Sequence, residues 1–283
     1  MGVLKGATMV VAGGAGCLGR NLALEAGRRG ARIVLADIAA GKEAVAALRA
    51  AGIEADFVQT EVSDLGSVRH LAERVRTEFG GANIITNCAV FPGGAHGALD
   101  DSDPETVRKL FDVNITGFYY MLHAFAKDLR AAAAAGEPAY VLNIGSEHTF
   151  GPPPHVTPLS MYTLTKSAVL AYSSVLRRDF AGSGVGVTML SPGWIYTPVV
   201  QRLLESHPQL VPAILPYCQY PEFVAKAGIE GMLRGDFIVY PNSRANRFAI
   251  ENFEEVIREL KRSEQIVAET PGPAFVQKNW SKA

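Results

Sequence analysis

Tyr162 and Lys166 stand four residues apart in MYTLTKSAV, with Ser146 upstream and Asn114 further back. On a helix, positions i and i+4 share a face, so the Lys166 ammonium can lie beside the Tyr162 ring and favour its phenolate. A free phenol titrates near pH ~10, and a neighbouring cation must lower that value before tyrosine can exchange protons near neutrality. Alone, such a pair is equally a half-buried aromatic beside a solvated lysine. Here it comes with a glycine-rich turn near the N-terminus and a carboxylate closing the second predicted strand, a combination that points to a nucleotide-dependent reaction.

The turn is VVAGGAGCLGRNLA, which sets Gly13 and Gly19 between a first strand and a first helix. A turn of this kind lets backbone amides approach a pyrophosphate at the positive end of the helix dipole. Asp37 ends the run VLAD, the place where an acid binds the adenosine ribose hydroxyls. A carboxylate there repels a 2′-phosphate, and no lysine or arginine precedes Gly19 in the loop, so NAD(H) is expected rather than NADP(H).

Competing chemistries find less support. Ser146 lacks a glycine two residues later, which disfavours a nucleophile elbow, and no His-x-x-x-His pair is present. Cys17, Cys88 and Cys218 form no C-x-x-C, so neither zinc nor a disulfide framework is expected. His148 and His155 are either polar contacts at a pocket mouth or solvated loop residues. The charge is nearly balanced, 27 basic against 28 acidic residues, so there is no electrostatic footprint for nucleic acid or an anionic membrane. The apolar stretch at the N-terminus is too short for a signal peptide, and a cytoplasmic protein with reduced thiols is expected.

Positioning these groups requires alternating strands and helices. Short β-branched runs predict strands over residues 7–12, 32–37, 53–59, 83–87, 140–145, 185–190 and 237–240. Seven such strands separated by helical patterns predict an α/β fold of Rossmann type, a doubly wound parallel sheet with helices on both faces, forming one domain over residues 1–283. Ser63-Asp64 and Ser102-Asp103 read as helix caps, the second followed by Pro104 and Glu105. Residues 198–225 turn irregular, with five prolines among apolar and aromatic side chains, and form a candidate substrate lid. Residues 243–267 read as one long amphipathic helix, followed by a tail carrying Phe275 and Trp280 that could cover the pocket or a neighbouring subunit.

From about Gly6 to Pro198 the sequence resembles the short-chain dehydrogenase/reductase family. Its Gly-x-x-x-Gly-x-Gly pattern matches at Gly13 and Gly19, with Cys17 where the middle glycine belongs; a side chain there could crowd the phosphates or alter a turn that needs positive φ. Asn87-Cys88-Ala89-Val90 stands for the family's Asn-Asn-Ala-Gly, and Glu61-Val62 for its Asp-Val near the adenine. The segment from Pro192 and Gly193 through Ile195 and Thr197 matches the family's stretch near the nicotinamide. The resemblance implies cofactor contacts at Gly13, Cys17, Gly19, Asp37, Glu61, Val62, Asn87, Ala89, Pro192, Gly193, Ile195 and Thr197, at the adjoining Leu18 and Ile38, and at Tyr162 and Lys166. It also implies that Tyr162 exchanges a proton with the substrate oxygen, Lys166 lowers its pKa and binds the ribose, Ser146 positions the oxygen, and Asn114 supports a proton relay. Ser146 lies sixteen residues before Tyr162, and Thr149 thirteen, the family's usual count; Ser146 is preferred because it follows a strand end. The family further implies a homodimer or homotetramer, often built from the helices carrying Asn114 and Tyr162.

The aromatic and aliphatic residues of the lid suit a bulky, aromatic or apolar secondary alcohol or its ketone. The segment around Tyr240-Pro241 resembles a subgroup that oxidises benzylic alcohols in lignin-derived aryl ethers. A non-catalytic nucleotide sensor or interaction protein on the same fold is the alternative, motivated by Cys17 and by residues 87–90.

Overall fold

The protein is described by a computed structural model over residues 2–93, 98–155 and 159–267. The tail with Phe275 and Trp280 lies outside the described residues. Seven strands form one sheet: β1 (Thr8–Ala12), β2 (Arg32–Asp37), β3 (Ala55–Gln59), β4 (Ile84–Asn87), β5 (Tyr140–Ile144), β6 (Gly186–Leu190) and β7 (Ile238–Val239). All pairings are parallel, in the order β3-β2-β1-β4-β5-β6-β7. The helices are α1 (Cys17–Arg28), α2 (Lys42–Ala50), α3 (Leu65–Phe79), α4 (Pro104–Phe111), α5 (Gly117–Ala134), α6 (Ser160–Asp179), α7 (Pro198–Ser206), α8 (Val211–Ile214), α9 (Pro221–Arg234) and α10 (Ser243–Val267).

The strands are apolar on both faces because both are covered. Met9, Val11, Ile33 and Leu35 pack with Leu22 and Ala26 of α1, Val45 and Leu48 of α2, and Ile229 and Met232 of α9. The alternate residues Val10, Ala12 and Val34 pack on the other side with Leu71 and Val75 of α3, Phe125 and Leu129 of α5, and Leu176 of α6. Each fully buried side chain of this size contributes about 1.5–3 kcal/mol, which fixes the helices to the sheet. β1 and β4 are neighbours although β2 and β3 lie outside β1, so the strand order reverses between them. A crevice therefore opens beyond their C-terminal ends.

Asp64 caps α3, accepting from Gly66 N at 2.7 Å, and Asp103 caps α4, accepting from Thr106 N at 2.8 Å. Most strand ends fall within one residue of the sequence pattern, and two segments depart further. Ile53 lies in the turn that closes α2, its N–H donating to Leu48 O at 3.0 Å, and β3 begins at Ala55. The proline-broken stretch is largely helical: Pro198, Pro208 and Pro221 each open a helical segment, and Pro212 sits in the first turn of α8. Proline lacks only a donor that a first turn leaves unused, so these residues start helices where they read as breaks. No helix among the described residues is long and apolar enough to cross a membrane.

Candidate active site

The crevice begins at the turn from β1 into α1. Gly13 adopts φ +77°, and a Cβ there would lie 2.6 Å from Ala89 N, so the turn passes against the chain leaving β4. Gly19 is forced differently, since a Cβ would enter the Gly13 carbonyl. Gly16 takes the N-cap position with extended backbone, and Cys17 is the first helical residue. No described residue other than glycine has positive φ. The cysteine therefore needs no backbone strain, and the expected distortion of the turn is absent. Asp37 is held beside the turn, Oδ2 accepting from Ala15 N at 2.9 Å and Oδ1 from Ala39 N at 3.0 Å. Ile38, beyond it, is exposed.

A cavity of about 460 Å³ starts at this helix N-terminus, lined there by Gly13, Cys17, Leu18, Gly19 and Arg20. Its far wall is built by Ser146, Tyr162 and Lys166, and its floor by Pro192, Gly193, Ile195 and Thr197. The glycines leave room for a ligand to approach backbone, and the unpaired amides of the first turn of α1 suit phosphate. These walls fit a nicotinamide dinucleotide lying from the helix to the tyrosine. Glu61, Val62, Asp37 and Ile38 are not among the cavity's lining residues; they stand at or just beyond the ends of β3 and β2. Val62 is buried against Gly117, and Glu61 accepts from Ser63 Oγ at 3.0 Å. Asn87 is buried inside the sheet, where its Nδ2 donates to Asn143 Oδ1 at 2.8 Å, and the backbone of Cys88 and Ala89 abuts Gly13.

α6 carries Tyr162 and Lys166 one turn apart. Lys166 Nζ donates to Ile144 O at 2.9 Å and lies 5.7 Å from the Tyr162 ring centroid. Burial dominates both groups: it brings the Lys166 amine down to about 8 and pushes the Tyr162 phenol up to about 12. A hydrogen bond from Ser146 lowers the phenol, and the Glu147 charge raises it. The raised phenol reflects its burial, while the Lys166 ammonium is directed to the Ile144 carbonyl.

Ser146 follows β5 and caps the short 3₁₀ turn Glu147–Phe150. Its N–H donates to Thr149 Oγ1 at 2.9 Å, so the hydroxyl of Thr149 is turned to the cap, while the Ser146 hydroxyl accepts from His148 N at 3.3 Å and shares the cavity with Tyr162. Asn114 is buried in a π turn, Asp112–Thr116, between α4 and α5. Its Oδ1 accepts from Phe91 N at 2.8 Å and its Nδ2 donates to Phe91 O at 3.0 Å and to Thr165 Oγ1 at 3.2 Å. Thr165 in turn donates to the Tyr162 carbonyl at 2.8 Å. Sequence reasoning missed Thr165, and also Arg20 and Cys88 on the cavity wall; Thr165 was detectable only as the residue three after Tyr162. Among the described residues no group of three His, Cys, Asp or Glu side chains could hold a metal.

A model of short chain dehydrogenases matches residues 7–208. The chain belongs to the short-chain dehydrogenase family. Within it, the protein described as "Probable oxidoreductase EphD" of Mycobacterium tuberculosis (strain ATCC 25618 / H37Rv) is 34% identical over 198 residues, 69% of this chain. The match covers only 32% of that relative's length. Cis-4-hydroxycyclohexanecarboxylate dehydrogenase of Sinomonas cyclohexanicum is 32% identical over 197 residues, 69% of this chain and 75% of the relative. Among solved structures, a short-chain dehydrogenase/reductase of Burkholderia phymatum in complex with NAD superposes with a TM-score of 0.79 at 25% identity, covering 92% of this chain and 97% of the other.

Proposed function

We propose that this short-chain dehydrogenase is an NAD(H)-dependent oxidoreductase interconverting a bulky, uncharged secondary alcohol, aromatic or otherwise apolar, with its ketone. The observation that carries the reading is that Ser146, Tyr162 and Lys166 line the same cavity as the glycine turn and the first turn of α1. A nicotinamide dinucleotide held by Gly13, Cys17, Leu18, Gly19 and Asp37 at one end and Lys166, Pro192, Gly193, Ile195 and Thr197 at the other supplies the hydride acceptor or donor. Asp37 beside the turn supports NAD over NADP, since its carboxylate repels a 2′-phosphate. Ile38, Glu61, Val62, Asn87 and Ala89 complete the adenine side in this reading.

The proton half of the reaction falls to the chain. During oxidation Tyr162 takes the proton of the substrate hydroxyl; during reduction it returns one to the carbonyl oxygen. Ser146 donates a hydrogen bond to that oxygen and holds it against Tyr162. Lys166 places a cation one helical turn from the phenol, and Asn114 fixes the backbone behind it through Phe91 and Thr165. The buried charges next to Ser146 and Tyr162 are Lys166 and Glu147, so a carboxylate-bearing substrate meets as much repulsion as attraction. Exposed Tyr119 on α5 and Leu164 and Val175 on α6 support a homodimer built across these helices.

The test is a fluorescence titration with NADH and NADPH followed by NAD⁺-dependent turnover of a panel of aryl secondary alcohols. Saturable NADH binding, NADPH binding at least about tenfold weaker and turnover that Tyr162→Phe abolishes are expected. Tighter NADPH binding, or turnover retained in Tyr162→Phe, refutes the reading.

A further inference from the structure

Immediately after Ser146, the chain buries a carboxyl and an imidazole that have no role in the proton transfer. The Glu147 side chain is 4% exposed and the His155 side chain 8% exposed, with Glu147 Oε2 and His155 Nε2 3.4 Å apart. Among the described residues, Glu147 Oε2 and both ring nitrogens of His155 lack a hydrogen-bond partner. Buried polar atoms are nearly always paired, so three together at one place call for an external partner.

The surroundings point to the substrate side of the cavity. Glu147 N donates to Pro192 O at 2.8 Å, and a Cβ on Gly193 would lie 3.4 Å from Glu147 Oε2. Gly193 lines the cavity, so the carboxyl lies directly behind that wall, beside Asn242 Nδ2, which stands 2.7 Å from where the same Cβ would be. The Glu147 charge also acts on the Tyr162 phenol, which puts the two groups within electrostatic reach. His155 is fixed by stacking on Tyr217, centroids 3.8 Å apart at 17°, with Phe248 at 5.4 Å on the ring system. The neighbouring His148 is already engaged with Thr163 Oγ1 at 2.8 Å and is not available.

An imidazole N–H and a carboxyl oxygen side by side present one donor and one acceptor. A hydroxyl is both at once, and an oxygen set about 2.8 Å from each atom closes a triangle on their 3.4 Å separation. A metal ion finds only two ligands there, and a carboxylate is repelled by Glu147. We propose that Glu147 and His155 are specificity-determining residues that together bind a second, uncharged hydroxyl of the substrate while the reacting carbinol lies at Ser146 and Tyr162. This rests on the alcohol-oxidation reading above and names the substrate class more closely, as an aryl carbinol bearing a further hydroxyl group.

The test pairs turnover with binding. Values of kcat/KM with NAD⁺ are measured for 1-phenylethanol, its three ring-hydroxylated isomers and 1-phenyl-1,2-ethanediol. Calorimetry measures binding of the corresponding ketones to the full chain saturated with NADH. At least one hydroxylated member should exceed its parent by about tenfold or more in kcat/KM, mainly through KM, and its ketone should bind correspondingly tighter than acetophenone. His155→Phe keeps the aromatic stack and Glu147→Met keeps the volume; both should reduce that preference to about threefold or less, whereas Glu147→Gln, still able to hydrogen-bond, should keep most of it. If Glu147→Met does not fold, His155→Phe decides. A wild-type protein without hydroxyl preference, or variants that retain it in full, overturn the proposal. Hydroxyl-dependent ketone binding lost in the variants, with no turnover of any carbinol, sustains the recognition site and refutes alcohol oxidation instead.

Discussion

Replacing Thr165 by valine tests whether Asn114 holds Tyr162 through the interior of α6. Thr165 is fully buried, and its hydroxyl accepts from Asn114 Nδ2 at 3.2 Å while donating to the Tyr162 carbonyl at 2.8 Å. Valine keeps the shape and removes both bonds. The Tyr162 carbonyl retains its helical partner, the Lys166 N–H, so the group left without a partner is one N–H of Asn114. An unpaired buried donor costs about 1–3 kcal/mol, and the added methyl returns about 0.8 kcal/mol of burial. A net loss of up to about 2 kcal/mol follows, which for a chain of this size lowers Tm by up to roughly 6 °C. If the network also fixes the tyrosine, kcat falls about threefold or more while KM changes less, because the loss is in orientation of the proton-transfer group. Differential scanning fluorimetry and steady-state kinetics read both, and Thr165→Ser should restore both. A valine variant that melts within roughly 1 °C of wild type with unchanged kcat would mean that Asn114 and Tyr162 are not coupled by this path.

Three further outcomes are expected. Asp37→Ser removes the carboxylate beside the turn and should cut the ratio of NADH to NADPH affinity about tenfold or more by fluorescence titration; an unchanged ratio would place cofactor choice elsewhere. Cys17→Gly should alter NADH affinity by less than about threefold, because Cys17 starts α1 without positive φ; a large gain in affinity would show that the thiol crowds the phosphates after all. Burial holds the Glu147 carboxyl protonated up to about 7 against an ordinary value of 4.5, so between these pH values the folded state binds more protons than the unfolded one. That contribution to stability is complete below the lower value and lost as pH rises through about 7. Glu147→Gln should therefore gain on wild type by roughly 2–3 kcal/mol between pH 4.5 and pH 7 in urea melts, and a flat difference would contradict the burial of an ionisable carboxyl there.

Much of this arrangement was legible in the chain. Runs such as TMVVA and RIVLAD are apolar throughout because both faces of a parallel sheet are covered, and that continuity marks strands without alternation. Tyr162, Lys166 and Ser146 could be found because local signals, a helical spacing and a strand end, put them there, and the structure brings all three onto one cavity wall. What stayed hidden depends on contacts between distant segments. Ile53 reads as strand by its β-branched side chain but is claimed by the turn that closes α2, through Leu48. The prolines from 198 to 221 read as breaks, although a first helical turn accepts them. Thr165 gains meaning only when the π turn carrying Asn114 is laid against α6, and Glu147 and His155, eight residues apart in sequence, meet because the loop after the 3₁₀ turn folds His155 back under Tyr217.

The electrostatics of the site argue that the protein alone keeps Tyr162 an acid. Two buried groups of opposite sign flank it. Lys166 directs its ammonium to the Ile144 carbonyl, and its own amine is brought down to about 8 by burial. Glu147 pushes the phenol in the unhelpful direction once it ionises, near 7. A base is therefore available for oxidation only when positive charge is added next to the ring or negative charge is removed. Glu147→Gln removes it permanently: the limb of kcat/KM that rises with pH as Tyr162 ionises should move to lower pH than in wild type, with the direction set by loss of a nearby carboxylate. A limb that stays in place would mean that Glu147 remains protonated throughout turnover, and a limb that moves to higher pH would mean that its hydrogen bonding, rather than its charge, governs the tyrosine.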